Sequence, residues 1–283
     1  MRACTLCPRR CRIDRLKQQQ TGTCKTRAKA WVSSFQAHFG EEAPLVGSHG
    51  SGTIFFTHCN LMCNFCQNFD ISHRGVGQEV TDQQLAEMMV NLQQEGCHNI
   101  NFVSPSHVVP QILSALAVAC DQGLRIPLVY NSGGYDRVET LQLLDQIVDI
   151  YMPDFKFWEP GIAELTCQAS DYLQVAQNAL REMYRQVGDL IMDDRGIAQR
   201  GLLVRHLVMP AGLAGTRQVM KFIAAEISTN TYVNIMPQYR PCGDLNPTPQ
   251  LRRAITRAEF KQALQDAKEV GISRLDKPRW ALL

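Results

Sequence analysis

Apolar positions along the chain recur with two alternating periods. Residues 53–57 are a short β-branched and aromatic run that ends in a cysteine-rich loop. Leu85, Met88, Met89 and Leu92 then fall on one helical face, with Thr81 as N-cap, Gln84 completing a capping box and Gly96 as the stop. The alternation continues, predicting strands over 99–104, 125–130, 148–152, 202–209 and 232–236. Helices are predicted over 108–121, 135–146, 171–187, 216–227 and 257–270. Short apolar strands separated by helices imply a parallel sheet with helices outside it. Right-handed crossovers curl such a sheet, so the expected fold is α/β, a partial parallel (β/α)6 barrel. Working residues then stand at the C-terminal ends of the strands: 59–66, 104–107, 131–134, 154–156, 210 onward and 238–240. The first 50 residues lack this alternation and read as a small cysteine-rich, metal-held segment. Residues 51–245 are the expected barrel and 246–283 a C-terminal helical extension.

With 45% hydrophobic and 20% charged residues, the chain is neither disordered nor a low-complexity scaffold. Lys+Arg 29 against Asp+Glu 27 leaves a net charge of +2, which argues against a nucleic-acid partner. No apolar run approaches the ~20 residues that span a bilayer. The opening residues reach Cys4 without the apolar stretch of a signal peptide, so a cytoplasmic location is expected. Eleven cysteines in such a chain change the picture. A reducing compartment disfavours disulfides, and clustered thiols point to metal instead.

Cys59, Cys63 and Cys66 lie at offsets 0, 4 and 7 in the loop after the first predicted strand. Those offsets also describe one face of a helix, on which the cysteines would be small core residues. Placement directly after a strand favours a soft metal site. A structural zinc normally closes with four ligands, and no fourth is near in sequence; a cluster on three cysteines leaves one iron open.

The run Cys59-x3-Cys63-x-Phe65-Cys66 resembles the signature of the radical S-adenosylmethionine (SAM) enzymes. Asp154-Phe155-Lys156 is similar to the Asp-Leu-Lys of pyruvate formate-lyase activating enzymes. Residues 204–210 and 234–239 resemble their fifth and sixth strands. The N-terminal cysteines and residues 182–188 resemble most an uncharacterised branch of these homologues. The resemblance implies that Cys59, Cys63 and Cys66 hold a 4Fe-4S cluster whose fourth iron is chelated by SAM. It implies reductive cleavage of SAM to methionine and a 5′-deoxyadenosyl radical. It places Phe65 against the adenine and Asp154 and Arg205 beside the charged end of SAM. Ser104, Asn131 and Tyr239 stand at further cofactor-contacting positions. There the chain departs from the pattern: Ser104-Pro105-Ser106-His107 replaces Gly-Gly-Glu, Asn131-Ser132-Gly133-Gly134 replaces an Asp-Thr-Asn-Gly type run, and Tyr239 replaces a histidine.

Implied partners are a flavodoxin- or ferredoxin-type electron donor and a glycyl-radical protein or peptide substrate. Radical modification of a small molecule or peptide is the alternative within enzymes; a non-catalytic iron–sulfur or zinc carrier or scaffold is the alternative outside them.

Cys4, Cys7, Cys11 and Cys24 supply four soft ligands, enough for a closed zinc site or an auxiliary iron–sulfur cluster. Cys242, after the last strand, is a candidate hydrogen-atom donor to a substrate radical. His206 is expected in the core or facing a helix; His107, at a strand end, suits either a substrate contact or a helix start. Cys97, Cys120 and Cys167 are expected in the core.

Overall fold

A computed structural model describes every residue except Met1, Gln18, Gln19, Pro247 and 278–283. The last stretch of the expected C-terminal extension therefore lies outside the described residues. The predicted strands form the centre of one mostly parallel sheet: β2 (Ser51–Phe56), β4 (Ile100–Val103), β5 (Leu128–Ser132), β6 (Ile150–Pro153), β8 (Ala198–Leu207) and β9 (Tyr232–Met236). They pair in that order, each parallel to the next. Strands buried on both faces carry near-continuous apolar runs, as in Leu128–Ser132, where every residue is buried.

The helices lie between these strands in sequence. α2 (Asp82–Gln94) starts with the expected capping box, Thr81 and Gln84 satisfying each other's backbone donors. α3 (Val109–Asp121) begins with a proline in its first turn, where no intrahelical N–H is lost. α6 (Tyr172–Val187) buries Tyr172, Ala176, Ala179, Leu180, Met183 and Val187 along one stripe. α7 (Thr216–Phe222) stops earlier than expected and continues as a π-turn over Ile223–Ile227. α8 (Arg257–Glu269) carries a second capping box, Thr256 with Glu259.

Three differences from the sequence reading bear on the site. Residues 30–50 are not an unpatterned appendage: β1 (Ala30–His38) pairs antiparallel with β2, and the short helix α1 (Ala43–Val46) follows. Half-exposed Ser33, Ser34, Ala37 and His38 blur the period-2 signal of β1, and its register shifts between Val32 and Ser34. The expected helix over 135–146 shrinks to α4 (Val138–Gln142), because Gly134 and the buried side chain of Asp136 hold the preceding turn. A helix absent from the prediction, α5 (Pro160–Cys167), carries Cys167 at its end. The remaining strands are short and antiparallel: β3 (Gln78–Val80) on β1 and β7 (Ile191–Met192) on β8. Among the described residues no helix is long and apolar enough to cross a membrane.

Candidate functional site

A cavity of about 270 Å³ opens at the C-terminal ends of the parallel strands. All six strand ends contribute to its wall, from Phe55 and Phe56 of β2 through Val103 of β4, Asn131 of β5, Asp154 just past β6 and Arg205 of β8 to Met236 of β9. This is where the ends of parallel strands leave backbone unpaired and side chains free to converge.

The cysteine loop forms one wall. His58 and Met62 adopt left-handed backbone conformations, which fold the segment back on itself rather than into the helix its spacing also allowed. Cys59, Cys63, Phe65 and Cys66 all face the cavity. Each sulfur has a hydrogen-bond donor behind it. The Leu61 N–H lies 3.4 Å from Cys59 Sγ, the Ser72 hydroxyl 3.2 Å from Cys66 Sγ, and the Cys167 thiol 3.3 Å from Cys63 Sγ. Without a bound metal these thiols keep their protons. Burial, then the neighbouring Cys63, pushes Cys59 up to about 12, and the same causes raise Cys66. While both thiols are protonated, Cys63 shares its own proton with Cys167, and that contact and burial raise it. Among the described residues no three His, Cys, Asp or Glu side chains close on a point that one ion would fill. Three thiols on one cavity wall are a donor set that would fit a cluster, whose ligands sit on separate irons.

The facing wall is charged. Arg205 Nε donates to Asp154 Oδ1 at 2.8 Å, and its Nη2 donates to Asn131 Oδ1 at 2.7 Å. Lys156 Nζ donates to the other Asp154 oxygen at 2.5 Å. Burial alone would raise Asp154, but the Arg205 and Lys156 charges outweigh it and hold the carboxyl below its ordinary range. Tyr172 of α6 pins this strand end: its hydroxyl accepts from the Lys156 N–H at 2.8 Å and sits 3.0 Å from the Asp154 carbonyl. Behind Arg205, away from the cavity lining, Glu41 pairs with Nη1 at 3.4 Å. Burial pushes Glu41 up to about 7 against the pull of Arg205.

Of the residues singled out in sequence, the structure gathers Cys59, Cys63, Cys66, Phe65, Ser104, Asn131, Asp154 and Arg205 around one cavity. Tyr239 and Cys242 are not in its lining. The Tyr239 hydroxyl donates to the Leu251 carbonyl, and its ring lies behind Phe65 at 6.3 Å. The Cys242 thiol donates to the Phe65 carbonyl at 3.0 Å. Next to it Gly243, at φ +71°, passes so close to the Asn64 carbonyl that a Cβ would stand 2.0 Å from that oxygen. His206 is fully buried, bonded to the Phe155 carbonyl and the Thr216 hydroxyl. His107 is fully buried on the Thr57 carbonyl rather than at the cavity. Cys97 and Cys167 are core residues as expected, whereas Cys120 is exposed on the outer face of α3.

Lys156 falls within the expected strand-end segment 154–156 without a role assigned to it, and Glu41 was not singled out. Glu41 had no signal, because it arrives from the stretch read as appendage.

The N-terminal cysteines pack beside this site. Burial pushes Cys7 up to about 12, partly offset by the Arg9 N–H, with Cys24, Cys11 and Cys4 near enough to add to the shift. Arg9, between Cys7 and Cys11, donates to the carbonyls of Asn60 (2.9 Å) and Leu61 (3.1 Å) in the cysteine loop. It also donates to those of Cys167 (2.6 Å) and Gln168 at the end of α5.

A parallel α/β sheet whose strand ends bring three thiols and a buried charge pair to one cavity is the donor set that a soft-metal cofactor would need. The family model of the radical SAM superfamily matches residues 53–196, about half of the chain. An uncharacterised protein of Methanocaldococcus jannaschii is 31% identical over 277 residues, covering 95% of this chain and 75% of the relative. The chain belongs to the radical SAM superfamily. Among solved structures it is similar in fold to native anSMEcpe with bound AdoMet, at TM-score 0.50 and 12% identity over 75% of this chain and 57% of that one. The same protein with bound AdoMet and Cp18Cys peptide matches with TM-score 0.50 and 11% identity, over 75% of this chain and 56% of that one. This chain thus spans little more than half the length of those structures.

Proposed function

We propose that this protein is a radical SAM enzyme of the activating-enzyme-like kind, built as a partial (β/α)6 barrel. The consecutive pairing of six parallel strands supports that architecture. The observation that carries the reading is one cavity with two chemically opposite walls. Cys59, Cys63 and Cys66 would hold a 4Fe-4S cluster, three thiolates leaving one iron for an outside ligand. When bound, the cluster would supply the electron for reductive cleavage of the SAM sulfonium to methionine and a 5′-deoxyadenosyl radical.

The chain's own residues bind and orient. SAM carries a carboxylate, an amine and a sulfonium, and the facing wall offers both signs at fixed positions. Arg205 and Lys156 are suited to the carboxylate, and Asp154 and Asn131 to the amine and ribose. Ser104 sits in a left-handed conformation at its strand end, beside the same space. Phe65 lines the cavity with its ring edge-on to Phe157 at 5.7 Å, a firm support for a stacked adenine.

Cys4, Cys7, Cys11 and Cys24 would hold a second metal, zinc or an auxiliary cluster, once their thiols, which do not close on one ion here, draw together. The substrate in this reading is a glycine-bearing protein or peptide from which hydrogen is abstracted, and the electron comes from a flavodoxin- or ferredoxin-type donor. Cys242, bonded to the Phe65 carbonyl beside the cysteine loop, is the candidate hydrogen-atom donor in this reading. The test is the EPR spectrum of the reduced, reconstituted protein with and without SAM. A SAM-induced change supports a catalyst, and an unchanged spectrum favours an electron carrier.

A further inference from the structure

The mechanism leaves one buried nucleophilic group unused. Cys167, at the C-terminal end of α5, is 1% exposed and absent from the cavity lining, yet its sulfur lies 3.3 Å from Cys63 Sγ. Cys63 lines the cavity and Cys167 does not, so the contact joins a cavity-wall cysteine to a fully buried one. The Cys167 thiol has one other acceptor in reach, Thr166 Oγ1 at 3.6 Å. The proton of that hydroxyl is already committed to the Ile162 carbonyl at 2.6 Å. Once Cys63 is a thiolate it is both the nearer and the charged acceptor, and charge-assisted hydrogen bonds are the stronger ones.

The arrangement is held from both sides. The Asn64 N–H donates to the Thr166 carbonyl at 2.8 Å, tying the loop residue after Cys63 to the residue before Cys167. Arg9 spans the Cys167 carbonyl and the Asn60 and Leu61 carbonyls. The two segments that carry these sulfurs are thus tied together by a backbone bond and by the Arg9 side chain.

We propose that Cys167 is a positioning residue of the three-cysteine centre, its thiol donating a hydrogen bond to Cys63 Sγ that raises the reduction potential of the bound cluster. This rests on the reading that Cys63 is a cluster ligand. Reduction adds negative charge that spreads onto the ligand sulfurs. A donor aimed at one of them stabilises the reduced state more than the oxidised one, and hydrogen bonds to sulfur are among the protein's means of setting cluster potential. A buried position away from water strengthens the effect. Cys59 and Cys66 receive comparable donors from the Leu61 N–H and the Ser72 hydroxyl, so removing Cys167 takes away one of three.

The full chain is reconstituted as wild type, Cys167→Ala and Cys167→Ser, and the cluster signal that SAM perturbs is followed by EPR-monitored redox titration. The Ala variant should keep its iron and sulfide but titrate at a more negative midpoint. The Ser variant, which restores a donor, should lie between Ala and wild type. A loaded Ala variant with the wild-type midpoint overturns the proposal. Should Ala not load, a Ser variant more negative than wild type still supports it, and an unshifted or more positive one overturns it. Wild type in D2O needs no variant: the reduced cluster should show a close exchangeable-deuteron coupling beyond those of Leu61 and Ser72, and its absence counts against Cys167. A wild type that takes up no iron and sulfide would instead overturn the cluster reading, and this inference with it.

Discussion

Arg205 and Asp154 sit on neighbouring parallel strands, their side chains joined at 2.8 Å where β6 and β8 end beneath the cavity. Each is mostly buried, with 17% and 13% of the side chain exposed, so the pair is no loose surface contact. Breaking a buried pair strands the remaining charge, which costs about 3–5 kcal/mol. Asp154→Asn leaves Arg205 and Lys156 without their shared carboxylate, and a loss of unfolding free energy toward the lower end of that range, softened by the Glu41 and Asn131 partners of Arg205, is expected from urea titration.

Arg205→Lys separates binding from folding. Lysine keeps the charge but cannot reach Asp154, Asn131 and Glu41 with one planar fork. SAM affinity should fall about 10- to 100-fold, the equivalent of about 1.5–3 kcal/mol, with the iron content unchanged. Calorimetric titration of SAM into the reconstituted variant checks this, and unchanged affinity would remove Arg205 from the binding wall.

His107 and His206 predict acid lability. Burial drives His107 down to about 3 and His206 to about 4, so both are neutral in the folded protein. The unfolded chain takes up their protons below its ordinary value of about 6.5. Their contribution is therefore complete above that pH and is lost as the pH falls from there toward the folded values. The urea midpoint should drop between pH 7 and pH 5, and His206→Gln should flatten that slope. An equal slope in the variant would assign the acid lability elsewhere.

Arg9→Ala should loosen the cysteine loop without touching any proposed ligand. It removes donors to four carbonyls on two distant segments. Iron release to a chelator should be several-fold faster than in wild type, and Arg9→Lys should recover part of the difference. Equal release rates would make the clamp incidental.

Replacing Cys4, Cys7, Cys11 and Cys24 together should remove one metal complement and leave the signal of the cysteine loop in place. Metal analysis identical to wild type would make these ordinary thiols.

The core strands were legible because each is a short apolar run bounded by helix-forming sequence, and the strand-end rule then pointed to the cavity wall. Helix α2 was legible through Thr81 and Gln84. β1 was not, because its partly exposed residues give no clean period. Helix α5 was not, because its apolar stripe is short and it opens on Pro160 rather than a side-chain cap. That loss concealed Cys167, whose contact with Cys63 joins residues 104 apart in sequence. Glu41 and Arg9 were hidden for the same reason: each acts through partners that only the folded chain brings near. Cys120 shows the opposite error, a residue type that is usually buried standing on the exposed face of its helix.

The most direct test is dithionite-driven release of 5′-deoxyadenosine from SAM, measured for reconstituted wild type and for Cys63→Ala. Wild type should release it and Cys63→Ala should not. Full release by the variant, or none by a wild type loaded with iron and sulfide, would contradict the assignment of the three-cysteine loop.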